Sequence, residues 1–104
     1  MIRYTQYMIT SGMKRKIVHL LKKQDVVKAA VFGSFARNEN TLKSDLDLII
    51  KYKGQKSLFD LFDLKENLEK ITGKKIDLLT YNSINPKLRS AILKEQKIIY
   101  EKRS

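Results

Sequence analysis

The chain has no cysteine. That excludes a disulfide framework and any zinc site built on thiolates. It suits a reducing compartment. No apolar run approaches the roughly 20 residues that cross a bilayer. Residues 1–12 mix polar and apolar side chains and lack the apolar segment of a secretory signal. A cytoplasmic protein is expected. Repeats, low-complexity stretches and linkers are also missing, so the 104 residues read as one domain, 1–104, with one core. A domain of this size has little area left for a second function. Acid is scarce: 11 acidic residues stand against 22 basic ones, for a net charge of +11. A charge of that size attracts polyanions such as nucleic acid, nucleotides or an acidic partner. Surface lysines also keep a protein soluble. They are spread along the chain and form no basic tail.

What is present begins with core-forming side chains, 42% of the sequence. Met13, Ile17, Leu20 and Leu21 recur at helical spacing and predict a helix from Ser11 or Gly12 to about Lys23. Val26 to Phe32 is a β-branched and small apolar run that predicts a buried strand ending at Gly33. A polar loop follows from about Arg37 to Ser44. Asp45 to Tyr52 reads as a second strand. Ser57 caps the next helix with Asp60 as its capping-box partner. Its apolar stripe is Leu58, Leu61, Leu64, Leu68 and Ile71, and Gly73 stops it. Lys75 to Tyr81 reads as a third strand. Asn85 caps a last helix with Pro86 at its first position and Leu88, Ala91 and Ile92 as its buried face. Lys97 to Glu101 is a short final strand. The link between strands one and two is too short for a crossover helix, so that pair should be antiparallel. Strand two, its helix and strand three should form a right-handed parallel unit. The expected class is α/β (α+β), a mixed sheet with helices packed on it.

Three acids and one glycine turn stand out. Asp45 and Asp47 are two residues apart on a predicted strand, so their carboxylates point the same way, with Cα atoms roughly 6.5 Å apart. Leu46, Leu48 and Ile50 then face the core. Carboxylates so placed can share two metals about 3.5–4 Å apart. Like charges held that close repel, and a divalent cation relieves them. Magnesium suits hard oxygens plus substrate phosphates. Taken alone, an Asp-x-Asp pair also fits a polar strand end with solvated acids. Gly33-Ser34 ends a buried strand. Glycine lets a ligand approach the backbone, and serine offers an N–H and a hydroxyl to a phosphate. A helical turn over Phe35-Ala36-Arg37 would place that phosphate at a helix N-terminus. The Walker pattern is absent. Asp77 interrupts the apolar strand Ile76-Asp77-Leu78-Leu79. An acid there should be buried at a cost unless it is paired or on a ligand. Beside strand two it could reach the same metals, or take a proton from an attacking hydroxyl. Alternatively it is an edge-strand acid paired with Lys74 or Lys75.

Ser34, ten further residues and then Asp-x-Asp, on two apolar strands with a later strand acid, resembles the nucleotidyltransferase superfamily that includes DNA polymerase beta. It looks most like the smallest branch, the minimal nucleotidyltransferase (MNT) domains paired in prokaryotes with HEPN-domain proteins. The likeness covers almost the whole chain. It implies an MNT fold, ATP as substrate and two Mg²⁺ ions. By this resemblance Gly33 and Ser34 would hold the β and γ phosphates. Asp45 and Asp47 would hold both metals, and Asp77 would complete one metal site and activate the acceptor. Arg37 matches a basic position of the family's Gly-Ser-x-Ala-Arg-Gly run and would orient the loop or a phosphate. Asn38 replaces the glycine usual there, and asparagine is the next best residue for a left-handed turn. The implied activity is AMP transfer to a hydroxyl, a tyrosine, on a HEPN toxin, with the chain as antitoxin. The alternatives are neutralisation by binding alone, or a basic nucleic-acid-binding module. The acids oppose the last, because they would repel phosphate in the cleft unless metals were bound. His19, the only histidine, reads as partly buried and structural. Arg15 and His19 are too close in sequence for the HEPN ribonuclease pairing. Phe59, Phe62, Tyr81 and Tyr100 read as core or rim. Lys51, Lys53 and Lys56 form a basic cluster after the second strand.

Overall fold

Ile17 and Leu21, one helical turn apart, are fully buried and define the inner face of helix α1 (Ser11–Lys23). The structure, a computed structural model, describes residues 11–33, 36 and 45–102. Ser34, Arg37 and the polar loop expected through Ser44 lie outside the described residues. Lys22 and Lys23 close α1 where its dipole is negative. The chain then turns through Asp25 (φ 63°), a backbone state that aspartate tolerates better than most residues.

Strand β1 (Val26–Phe32) lies between β2 (Leu46–Tyr52) and β4 (Lys97–Glu101), antiparallel to both. Strand β3 (Ile76–Thr80) pairs parallel with β2, giving the order β3-β2-β1-β4. The mixed sheet, the antiparallel β1–β2 pair and the parallel β2–β3 pair are as expected, and the place of β4 beside β1 is added by the structure. Helix α2 (Leu58–Thr72) connects β2 to β3. Its Ser57–Asp60 capping box is formed, and Gly73 ends it at φ 67°. The Glu69 carboxylate accepts the Ile76 N–H at 3.0 Å and ties the end of α2 to the start of β3. Helix α3 (Pro86–Glu95) is capped by Asn85, whose side chain accepts the Lys87 N–H.

Alternation along the strands makes two apolar layers. Leu46, Leu48, Ile50, Ile76 and Leu78 pack with Ile17, Leu21, Leu64 and Leu68 beneath α1 and α2. Ala30 and Ile49, on the other face, pack with Ile84 and the half-buried Ile92 beneath α3. The first layer carries most of the burial. Leu68→Ala should therefore cost about 2–5 kcal/mol. Urea unfolding measures it, and a loss under about 1 kcal/mol would mean that α2 is not fixed by this layer.

Several expectations change. Strand β2 starts at Leu46, so Asp45 precedes it. Tyr81 leaves the third strand and opens a 3₁₀ turn, Tyr81–Ser83. Leu58 is 74% exposed, and Phe59 and Phe62 are exposed too, because α2 turns towards the core only from Leu61 and Leu64. Leu88 and Ala91 are also exposed: α3 meets the sheet through Ile92 and buries no residue fully. His19 is exposed, on the side of α1 away from Ile17 and Leu21.

Candidate active site

Parallel pairing of β2 and β3 places Asp47 directly beside Asp77. Adjacent strands lie about 4.8 Å apart, so the two backbones hold these acids as neighbours. The preceding pair, Leu46 and Ile76, is fully buried beneath α1 and α2. Asp47 and Asp77 therefore lean to the opposite face, at the end of the sheet where β2 and β3 begin. Asp45 stands two residues before Asp47. It is exposed, and Asp47 is half-buried.

Asp77 is exposed rather than buried. Strand β3 is an edge strand, and α3 covers Ala30 and Ile49 on this face. The acid thus stays hydrated and does not incur the expected desolvation. Among the described residues it makes no ion pair with Lys74 or Lys75.

Gly33 reaches the same place from β1. Phe32 is opposite Asp47 in the antiparallel register, so Gly33 follows immediately beside that acid. Its φ is +70°. A Cβ on Gly33 would stand 3.3 Å from Asp47 Cγ and overlap Oδ2. Only glycine suits both the backbone angle and the close approach. Of the proposed phosphate-binding residues, the structure places Gly33 at the acids, and Ser34 and Arg37 lie outside the described residues.

The family model described as polymerase beta, nucleotidyltransferase, matches residues 15–104. The chain belongs to this nucleotidyltransferase family. It is similar to a provisionally named protein adenylyltransferase of Methanocaldococcus jannaschii, 49% identical over 83 residues, which are 80% of this chain and 89% of that protein. It is also similar to the structure of a provisionally named minimal nucleotidyltransferase. That match has a TM-score of 0.74 and 31% identity, covering 83% of this chain and 88% of the other. The fold is the minimal nucleotidyltransferase fold. An MNT antitoxin, solved in complex with tri-AMPylated Shewanella oneidensis HEPN toxin, shares that fold. Its match has a TM-score of 0.68 and 18% identity, covering 86% of this chain and 70% of the other.

As a nucleotidyltransferase, the chain offers a donor set of hard carboxylate oxygens at the acid end of the sheet. Among the described residues no three metal-ligating side chains form a ready-made cage. Magnesium does not need one, because it keeps several waters and takes one or two carboxylates together with substrate phosphates. The adjacent Asp47 and Asp77, with Asp45 beside them, fit that requirement.

One neighbour of the site was not anticipated. Glu95, the last residue of α3, accepts the Gly33 N–H at 2.8 Å, across 62 positions of sequence. Its carboxylate pins the end of β1 where the glycine turn starts. A negative charge is unfavourable at a helix C-terminus. That local mismatch was the available signal.

Proposed function

We propose that this nucleotidyltransferase moves AMP from ATP to a hydroxyl, a tyrosine side chain, of a HEPN-domain toxin, and serves as its antitoxin in the cytoplasm. The reading is carried by the Asp47–Asp77 pair, with Asp45 beside it and the Gly33 turn against Asp47. The relatives that are named protein adenylyltransferases, and the shared fold of the HEPN-bound MNT antitoxin, support it.

Asp45, Asp47 and Asp77 would hold two Mg²⁺ ions. When bound, these neutralise charge on the triphosphate and on the attacking and leaving oxygens. Gly33, Ser34 and Arg37 would hold and orient the β and γ phosphates. Asp77 is exposed and stands at the edge, where an acceptor can enter. It takes the proton as the hydroxyl oxygen bonds to the α-phosphorus. The bond from that phosphorus to the bridging oxygen breaks, and pyrophosphate leaves with its electron pair.

The test is intact mass spectrometry of the HEPN protein after incubation with this chain, ATP and Mg²⁺. One or more AMP units should appear, and none without Mg²⁺. Asp77→Asn should still bind the partner but transfer about 10²–10⁴-fold more slowly, the usual contribution of a positioned general base. A wild-type chain that neutralises the toxin without changing its mass would leave binding alone as the antitoxin mechanism.

A further inference from the structure

The acids occupy one end of the sheet, and the opposite end is basic. A cavity of about 720 Å³ opens there, where β1 begins and β2 and β3 finish. Lys51 on its wall is four residues beyond Asp47, or about 13 Å at strand rise. Five cations line the cavity, Lys28, Lys51, Lys56, Arg89 and Lys102, against one acid, Glu101. Glu101 lies 3.9 Å from Lys28, and Lys56 is taken by Asp25 at 2.8 Å. Among the described residues, Arg89 donates to the Tyr81 carbonyl, at 3.2 Å, and makes no ion pair. Among the described residues, Lys51 and Lys102 make no ion pair, although Lys102 lies close enough to Asp25 to stabilise its carboxylate. Cations that outnumber the acids in one concavity raise the local concentration of anions.

The layout favours a chain of phosphates over a single small anion. A second cavity of about 360 Å³ shares Val27 and Lys102 with the first and adds Lys22 and Lys53, with Asp25 as its one acid. The two cavities meet at Val27 and Lys102, at the basic end of the sheet. Each also presents a partly exposed tyrosine ring. Lys28 Nζ lies 5.1 Å from the Tyr81 ring centre in the first cavity, and Lys22 Nζ 5.8 Å from that of Tyr100 in the second. Ammonium groups beside aromatic rings, here one pair on each face of the sheet end, are the elements that hold single-stranded nucleic acid without base readout. Both rings pack partly against the core layers, and an acidic peptide would use the cations without the exposed part of either ring.

We infer that this paired cavity binds single-stranded nucleic acid, with Lys51, Arg89 and Lys102 on its phosphates and Tyr81 and Tyr100 beside its bases. The acids oppose nucleic acid only at their own end of the sheet. The site is independent of the AMP-transfer reading.

Fluorescence anisotropy with a labelled single-stranded RNA of roughly 12 nucleotides, and DNA of the same sequence, tests it. The whole chain should bind one or both at low salt. The double variant Lys51→Glu/Lys102→Glu should bind at least about tenfold more weakly. Its log–log salt slope should fall by about 2, one for each lost phosphate contact. Both positions are exposed, and circular dichroism would verify the fold. Lys51→Gln/Lys102→Gln should show the same slope change with a smaller loss. Three results would overturn the proposal: no binding, unchanged affinity and slope in both variants, or displacement by Mg-ATP, which would place the polymer at the acid end. Displacement by poly-glutamate as effectively as by unlabelled RNA would also overturn it, in favour of an acidic protein segment. AMP transfer by the double variant should stay at the wild-type rate, so the two readings fail separately.

Discussion

Asp47→Asn should slow AMP transfer at least about 1000-fold while leaving the fold intact, a loss of about 4 kcal/mol in transition-state stabilisation. Asp47 is the central acid of the three. It pairs across the ladder with Asp77, follows Asp45 by two residues and touches the Gly33 turn. Asparagine keeps the shape and one acceptor oxygen but removes the charge that a divalent ion requires. Half-buried at the sheet end, the position tolerates the amide without a cavity. Ligand-induced stabilisation separates this from simple unfolding. Mg²⁺ with ATP should raise the wild-type Tm more than either alone, because each completes the other's site. In Asp47→Asn the added effect of Mg²⁺ should vanish, and Asp45→Asn should change in the same direction. Equal shifts for wild type and both variants would remove the carboxylates from metal binding.

Much of the site could be read from sequence because it lies on strands, where a period of two fixes direction. Leu46, Leu48 and Ile50 had to face the core, so Asp47 could not. Parallel pairing through α2 then brought Asp77 alongside. Exposure was harder. Asp77 sits in an apolar run that looks central, yet β3 is an edge strand, and strand order depends on contacts far apart in sequence. Helix faces misled for a related reason. Leu88 and Ala91 have the right spacing, but among the described residues the second face of the sheet offers a small apolar layer of Ala30, Ile49 and Phe32, and of α3 only Ile92 packs on it. Glu95 was missed because its partner is a backbone N–H 62 residues away, which no side-chain pattern records. The basic end of the sheet was visible only in part. The Lys51, Lys53 and Lys56 cluster is local, whereas Lys28, Arg89 and Lys102 join it through the antiparallel β1 and β4 and through α3.

Gly33→Ala should abolish measurable transfer, and Gly73→Ala should not. The two glycines share a backbone state, φ 70° and φ 67°, so alanine brings similar left-handed strain at each, about 1–2 kcal/mol. Their surroundings differ. Around Gly73 a Cβ would meet nothing within 4 Å, whereas at Gly33 it would enter the Asp47 carboxylate. Relief requires either rotation of Asp47 away from Asp77 or movement of the end of β1. The first would break the proposed metal site, and the second would pull the Gly33 amide from Glu95 and misplace the proposed phosphate turn. Both routes lead to lost function, while Gly73 at the C-terminus of α2 touches neither. Denaturation should show Gly73→Ala destabilised by the strain alone and Gly33→Ala by at least as much. Calorimetric titration with a non-hydrolysable ATP analogue and Mg²⁺ should show at least about tenfold weaker binding for Gly33→Ala only, or about 1.4 kcal/mol. If Gly33→Ala binds the analogue and transfers AMP as Gly73→Ala does, the triphosphate does not lie against Asp47, and the catalytic centre must be sought elsewhere on the sheet.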